Sequence, residues 1–134
     1  MKEQKPPLGF ESAKKKASSI LNDNERLKAL LKRAKEKAAE NNTKLKGVWS
    51  DFQTLLRFLK AWRRRDYREI SWRALLYSAA AVLYFVNPFD IVPDIVPLTG
   101  FVDDFAVITF ALNAIQKDLL EFRKWEQKQA EPEE

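Results

Sequence analysis

The sequence predicts an all-α fold, a small bundle of four to five helices built around an apolar helical hairpin with a Pro/Asp corner. Three observations predict it. Apolar residues recur at three- and four-residue spacings, no segment alternates apolar and polar residues as a half-buried strand would, and the 134 residues contain only three glycines. A chain of this length with 46% hydrophobic residues fits one compact domain.

Residues 1–10 hold Pro6, Pro7 and Gly9 and read as a flexible tail. A basic amphipathic helical extension follows over 11–42. Its Ile20, Leu27, Leu31, Ala34 and Ala38 fall near one helical face with lysines elsewhere, so most of the Lys-rich surface reads as solvated. Asn22, Asp23 and Asn24 can split this extension, one of them serving as an N-cap, and Asn41-Asn42-Thr43 is a second expected break.

From about Thr43 to Arg64, Val48, Phe52, Leu55, Leu56 and Leu59 form an apolar stripe edged by Trp49 and Trp62, which predicts an amphipathic helix. Arg63, Arg64 and Arg65 close it, where the helix dipole favours cations. Ser71 can cap the next helix, and Pro88 should stop it near Asn87. Between Arg73 and Asp90 lie 16 uncharged positions. At ~1.5 Å per residue they reach roughly 24 Å, short of the ~30 Å needed to cross hydrocarbon. The last helix should begin after Gly100 and run to about Gln129, on a seam of Phe101, Phe105, Ile108, Leu112, Ile115, Leu119 and Phe122 that calls for a partner helix. Residues 130–134 form an acidic tail.

Composition narrows the chemistry. With no cysteine and no histidine, the chain lacks disulfides, a thiol or imidazole nucleophile, and every usual zinc or iron ligand except carboxylates. The reading is therefore non-enzymatic, with no cofactor and no small-molecule substrate. The first residues carry no apolar core of signal-peptide length, which predicts a place on the cytoplasmic side. The net charge of +5 conceals an asymmetry: Lys and Arg outnumber Asp and Glu 20 to 9 in residues 1–73, whereas the acids lead 10 to 4 in 74–134. A basic half beside an apolar, acidic half points to an anionic partner.

The run LYFVNPFDIVPDIVPLTGFVDDFAV, with Asn87, Pro88, Asp90, Pro93, Asp94, Pro97, Gly100, Asp103 and Asp104, resembles the signature of the YkvA-like family, a bacterial and archaeal domain of unknown function (DUF 1232). The upstream AWRRRDYREIS and downstream FRKW are similar to its longer members, so the resemblance covers roughly 45–129 and makes 43–129 a YkvA-like helical domain. It implies membrane association and no established activity.

The motif also has a chemistry of its own. Pro93 and Pro97 stiffen a non-helical link, Asp90 and Asp94 can accept bonds from free amides, and Asp103 and Asp104 suit the first turn of a helix. That describes a proline-stiffened, aspartate-capped corner. A sharper alternative is that Asp90, Asp94, Asp103 and Asp104 converge on Mg²⁺ or Ca²⁺, although their spacing matches no known cation loop. A catalytic role for the same carboxylates needs a substrate cleft that the sequence does not display.

Arg63, Arg64, Arg65, Arg68 and Arg73, with Trp62, Tyr67 and Trp72 among them, form a candidate lipid-binding patch beside the apolar segment. A solvated helix end with the aromatics in the core is the plain alternative. Nucleic acid fits poorly, because no recognisable nucleic-acid motif is present. Two functional expectations follow. One is a membrane-associated protein at the cytoplasmic face of the inner membrane, its hairpin 71–129 contacting or partly inserted in lipid. The other is a soluble helical adaptor or regulator that binds a protein partner.

Overall fold

The computed structural model describes residues 10–40, 48–86 and 104–130, the last stretch with side chains from residue 108 onward. Among the described residues there are six helices and no strand: α1 (Phe10–Leu21), α2 (Asn24–Glu40), α3 (Trp49–Arg63), α4 (Trp72–Val86), α5 (Asp104–Ala114) and α6 (Gln116–Ala130). The all-α prediction holds. The count exceeds four to five because two of the predicted helices are interrupted.

The first interruption is the expected one. The Asn22 side-chain amide donates to the Ser18 carbonyl at 2.9 Å, and the Asp23 carboxylate accepts the Arg26 amide at 3.2 Å, so Asp23 is the N-cap that opens α2. The second falls at Ile115, inside what the seam predicts as one helix. The Ile115 amide still reaches the Ala111 carbonyl at 3.1 Å and its own carbonyl accepts the Leu119 amide at 3.0 Å, so the interruption is confined to one residue, and Arg73 of α4 donates to the neighbouring Ala114 carbonyl at 3.3 Å.

α3 begins at Trp49, later than the Thr43 start that spacing predicts. Val48 occupies the N-cap with non-helical φ −131 and ψ 10 and no side-chain cap, and Gly47 before it is a poor helix residue. At the other end the Arg65 amide donates to the Trp62 carbonyl at 3.0 Å and the Asp66 amide to the Ala61 carbonyl at 2.9 Å. This is a Schellman closure, and it places Arg65 at φ 66, a left-handed position that usually takes glycine.

α4 is capped as the sequence predicts, with the Ala74 amide on the Ser71 hydroxyl at 3.1 Å, and it ends at Val86 just before Asn87. Its C-terminal carbonyls are met by a residue that sequence reading did not single out. Lys37 of α2 donates to the Phe85 carbonyl at 2.7 Å, and its ammonium lies 5.2 Å from the Phe85 ring.

α4 is also the centre of the bundle. It packs against α1, α2, α3 and α5, most extensively against α1, and nine of its 15 residues are buried. Buried Ala13 and Ala17 on α1 and Ala79, Ala80 and Ala81 on α4 are small enough to let helices approach closely. Phe10 locks the start of α1 edge-on against Tyr77 and Phe110, both at 5.0 Å. Residues 11–40 of the predicted extension therefore belong to the same core, to which they supply Ala13, Ala17, Ile20, Leu21, Leu27, Leu30, Ala34 and Ala38 beside Phe10. No helix among the described residues is long and apolar enough to cross a membrane.

The last helices close the far side. α5 packs on α4 and α3, α6 packs on α3, and the predicted seam is buried at Ile108, Leu112, Ile115, Leu119 and Phe122. Phe10, predicted as part of the N-terminal tail, instead opens α1 and is buried, and Ala130 still belongs to α6; residues 1–9 and 131–134, the break at Asn41-Asn42-Thr43 and the corner from Asn87 to Asp103 lie outside the described residues.

Candidate functional site

The two segments WRRRDYR and FRKW, far apart in sequence, meet in the fold. Tyr67 follows the Schellman turn and is buried among Phe58, Phe122 and Trp125, with ring centroids 6.4, 5.2 and 5.1 Å away. The Tyr67 ring is part of the core, tilted or edge-on against each of these neighbours. Burial raises the Tyr67 phenol above its ordinary value of 10.0, and the negative charges of Glu121, Glu69 and Asp118 push it the same way.

The other patch residues divide by their partners. Arg73 is committed, its guanidinium 4.5 Å from the Tyr77 ring as well as on the Ala114 carbonyl. Trp62 is half-buried and carries Arg68 at 5.8 Å. Arg64 sits 3.8 Å from Asp66 with both side chains more than half exposed, a pairing of small worth in water. Arg64, Arg65 and Arg68 are exposed, and Trp72 is 47% exposed. The Nε of Arg63 is buried without a hydrogen-bond partner among the described residues.

On its α6 side, α3 carries a polar latch. Arg123 pairs with Asp51 and donates to the Thr54 hydroxyl at 3.1 Å, while Arg57 pairs with Glu126 at 2.7 Å and also reaches the Thr54 hydroxyl at 3.2 Å. Thr54 is itself buried and donates to the Ser50 carbonyl at 2.9 Å.

On its α2 side, α3 faces an open groove of about 640 Å³. Lys28, Lys32, Lys35, Arg57, Lys60 and Arg63 line it, over a floor that includes Leu31, Leu56 and Trp49, and among the described residues no acidic one contributes. Between α1 and α2 a second groove of about 600 Å³ is bordered by Lys15, Lys16, Arg26 and Arg33. Sequence reading treated these lysines as a solvated face; the signal that could have marked them is the i, i+4, i+7 spacing of Lys28, Lys32 and Lys35.

Of the proposed cation ligands, Asp104 is the first residue of α5, and Asp90, Asp94 and Asp103 lie outside the described residues. Among the described residues no group of three carboxylates could hold a metal ion.

Comparison with known proteins bears on this arrangement. The model of a protein family of unknown function, DUF1232, matches residues 74–110. The uncharacterized membrane protein YkvA of Bacillus subtilis (strain 168) is 40% identical over 72 residues, 54% of this chain and 68% of that protein. The chain belongs to the YkvA-like DUF1232 family. No solved structure matches it. The family match takes in α4 from Ala74 and runs to Phe110 in α5, two helices that pack on each other. α1 and α2 lie outside that match and supply much of the cover over α4.

Proposed function

We propose that this chain is a non-enzymatic, membrane-associated protein that holds its helical bundle against acidic lipid headgroups at the cytoplasmic face of the membrane. The observation that carries this reading is the enclosure of α4, which packs against four other helices rather than presenting its apolar surface outward. A YkvA-like relative described as a membrane protein favours membrane association, and no described helix is able to span. Attachment then falls to the surface, through Arg64, Arg65, Arg68 and Trp72 at the α3–α4 junction and the lysines of α2.

Magnitudes support a shared role. A Lys or Arg near an acidic surface contributes about 1 kcal/mol, so three arginines alone give roughly 3 kcal/mol and only weak binding. Stable anchoring usually takes a second element, which the α2 lysines or the hairpin corner would supply.

Co-sedimentation with phosphatidylglycerol vesicles at low and high salt tests the reading. Surface attachment predicts binding at low salt that is largely lost near 1 M, where the screening length falls to about 3 Å. Salt-resistant binding would instead indicate insertion of the hairpin 71–129. The adaptor reading gains support from the completeness of the core and from exposed Trp72 as a contact residue for a protein partner. Absence of sedimentation at both salts would leave that reading in its place.

A further inference from the structure

The groove between α2 and α3 has two unlike ends. Lys37, three residues before the end of α2, holds the Phe85 carbonyl at 2.7 Å, and Phe52, near the start of α3, meets the Phe85 ring at a tilt with centroids 4.8 Å apart. The end of α2 therefore lies beside the start of α3, and since both helices line one groove they run antiparallel. Along α2 the lining passes from Lys28, Lys32 and Lys35 to Ala38 and Ala39; along α3 it passes from Trp49 and Leu56 to Lys60 and Arg63. The cationic halves coincide at one end and the apolar halves at the other.

Among the described residues none of Lys28, Lys32, Lys35 and Lys60 meets a carboxylate at ion-pair distance, and Arg63 has a buried, unpartnered Nε at the same end. Like charges gathered without counter-charges repel one another, and a bound anion relieves that repulsion. We propose that this groove binds one acidic phospholipid, with its phosphate at Lys28, Lys32, Lys60 and Arg63 and the start of an acyl chain on Leu56, Trp49 and Ala38. Charge complementarity chooses the occupant, because cations without counter-charges at one end and an apolar floor at the other match an anionic amphiphile. The proposal deepens the membrane-surface reading and rests on it, since a bilayer is the source of the lipid.

The test separates the two. Calorimetric titration with dihexanoyl phosphatidylglycerol as dispersed monomers needs no bilayer, and two triple variants remove equal charge: Lys28→Gln, Lys32→Gln, Lys60→Gln in the groove, and Arg64→Gln, Arg65→Gln, Arg68→Gln at the α3–α4 junction. The groove account predicts saturable binding to the wild-type protein, weakened about tenfold or more by the groove variant and less than about twofold by the junction variant. The phosphatidylcholine analogue and glycerol phosphate should each bind at least about tenfold more weakly, one lacking net charge and the other a tail. Unchanged melting temperatures establish that both variants fold.

Equal weakening by the two variants, tight binding of glycerol phosphate, or no saturable heat would overturn the groove proposal. Heat with a polyglutamate peptide but none with the lipid would overturn it in favour of an acidic protein partner. Vesicle sedimentation that persists without monomer binding would sink the groove while leaving surface attachment standing, and monomer binding without sedimentation would do the reverse.

Discussion

On its α6 flank, α3 sets each charge against a counter-charge: Asp51 against Arg123 and Arg57 against Glu126, with Thr54 joining the two pairs above the Phe58, Tyr67, Phe122 and Trp125 cluster. On its α2 flank, the same helix faces lysines and Arg63 with no acid in the groove among the described residues. One helix thus carries charge in two physical roles. Paired charge fixes the register of α6 and is complete within the chain, whereas unpaired charge repels itself and gains only from something outside the described residues. The difference separates residues that maintain the fold from residues available to a ligand.

The largest way to break the closed flank is Phe122→Ala, which removes the ring that touches Phe58, Tyr67 and Trp125. Chemical denaturation should show a loss of about 3–5 kcal/mol. Arg123→Ala should cost about 1–3 kcal/mol, because Asp51 and the buried Thr54 hydroxyl lose a shared donor. Arg65→Gly sharpens the contrast in the other direction. It relieves a side chain at φ 66 and should stabilise by about 1 kcal/mol, although it removes a patch charge. On the open flank, Lys28→Gln, Lys32→Gln and Lys60→Gln together should change stability by no more than about 0.5 kcal/mol while affecting lipid binding, the reverse of the latch variants.

The smallest effect is a pH dependence. The folded-state Tyr67 phenol titrates above its ordinary value of 10.0, so the folded protein retains that proton where the unfolded chain has begun to lose it. The resulting stability is present in full below about pH 10 and is lost as pH rises through the folded value. Melting temperatures taken up an alkaline series should fall less steeply for Tyr67→Phe than for the wild-type protein.

Much of this fold was legible in sequence because it depends on local rules. Ser71 caps α4, Asp23 caps α2, and the seam from Ile108 to Phe122 is buried as its spacing predicts. What escaped depends on long-range meetings that no local pattern encodes. Nothing near Lys37 indicates that it will hold the end of α4, and nothing near Arg73 indicates that it will take the Ala114 carbonyl at the end of α5. Tyr67 looked like an interfacial aromatic because it sits among arginines; its burial follows from FRKW docking on it from α6. The groove was missed for a related reason. Lysines on one helix read as solvated until a second basic face, on α3, is placed opposite them.

The account turns on α1 and α2 staying over α4 when the protein meets lipid. Amide hydrogen exchange of α1 and α2, measured with and without phosphatidylglycerol vesicles at low salt, tests this directly. Protection that is unchanged or raised on the vesicles is the predicted result. Accelerated exchange across both helices, with binding that survives high salt, would show that the cover peels away and the hairpin enters the bilayer, and would contradict it.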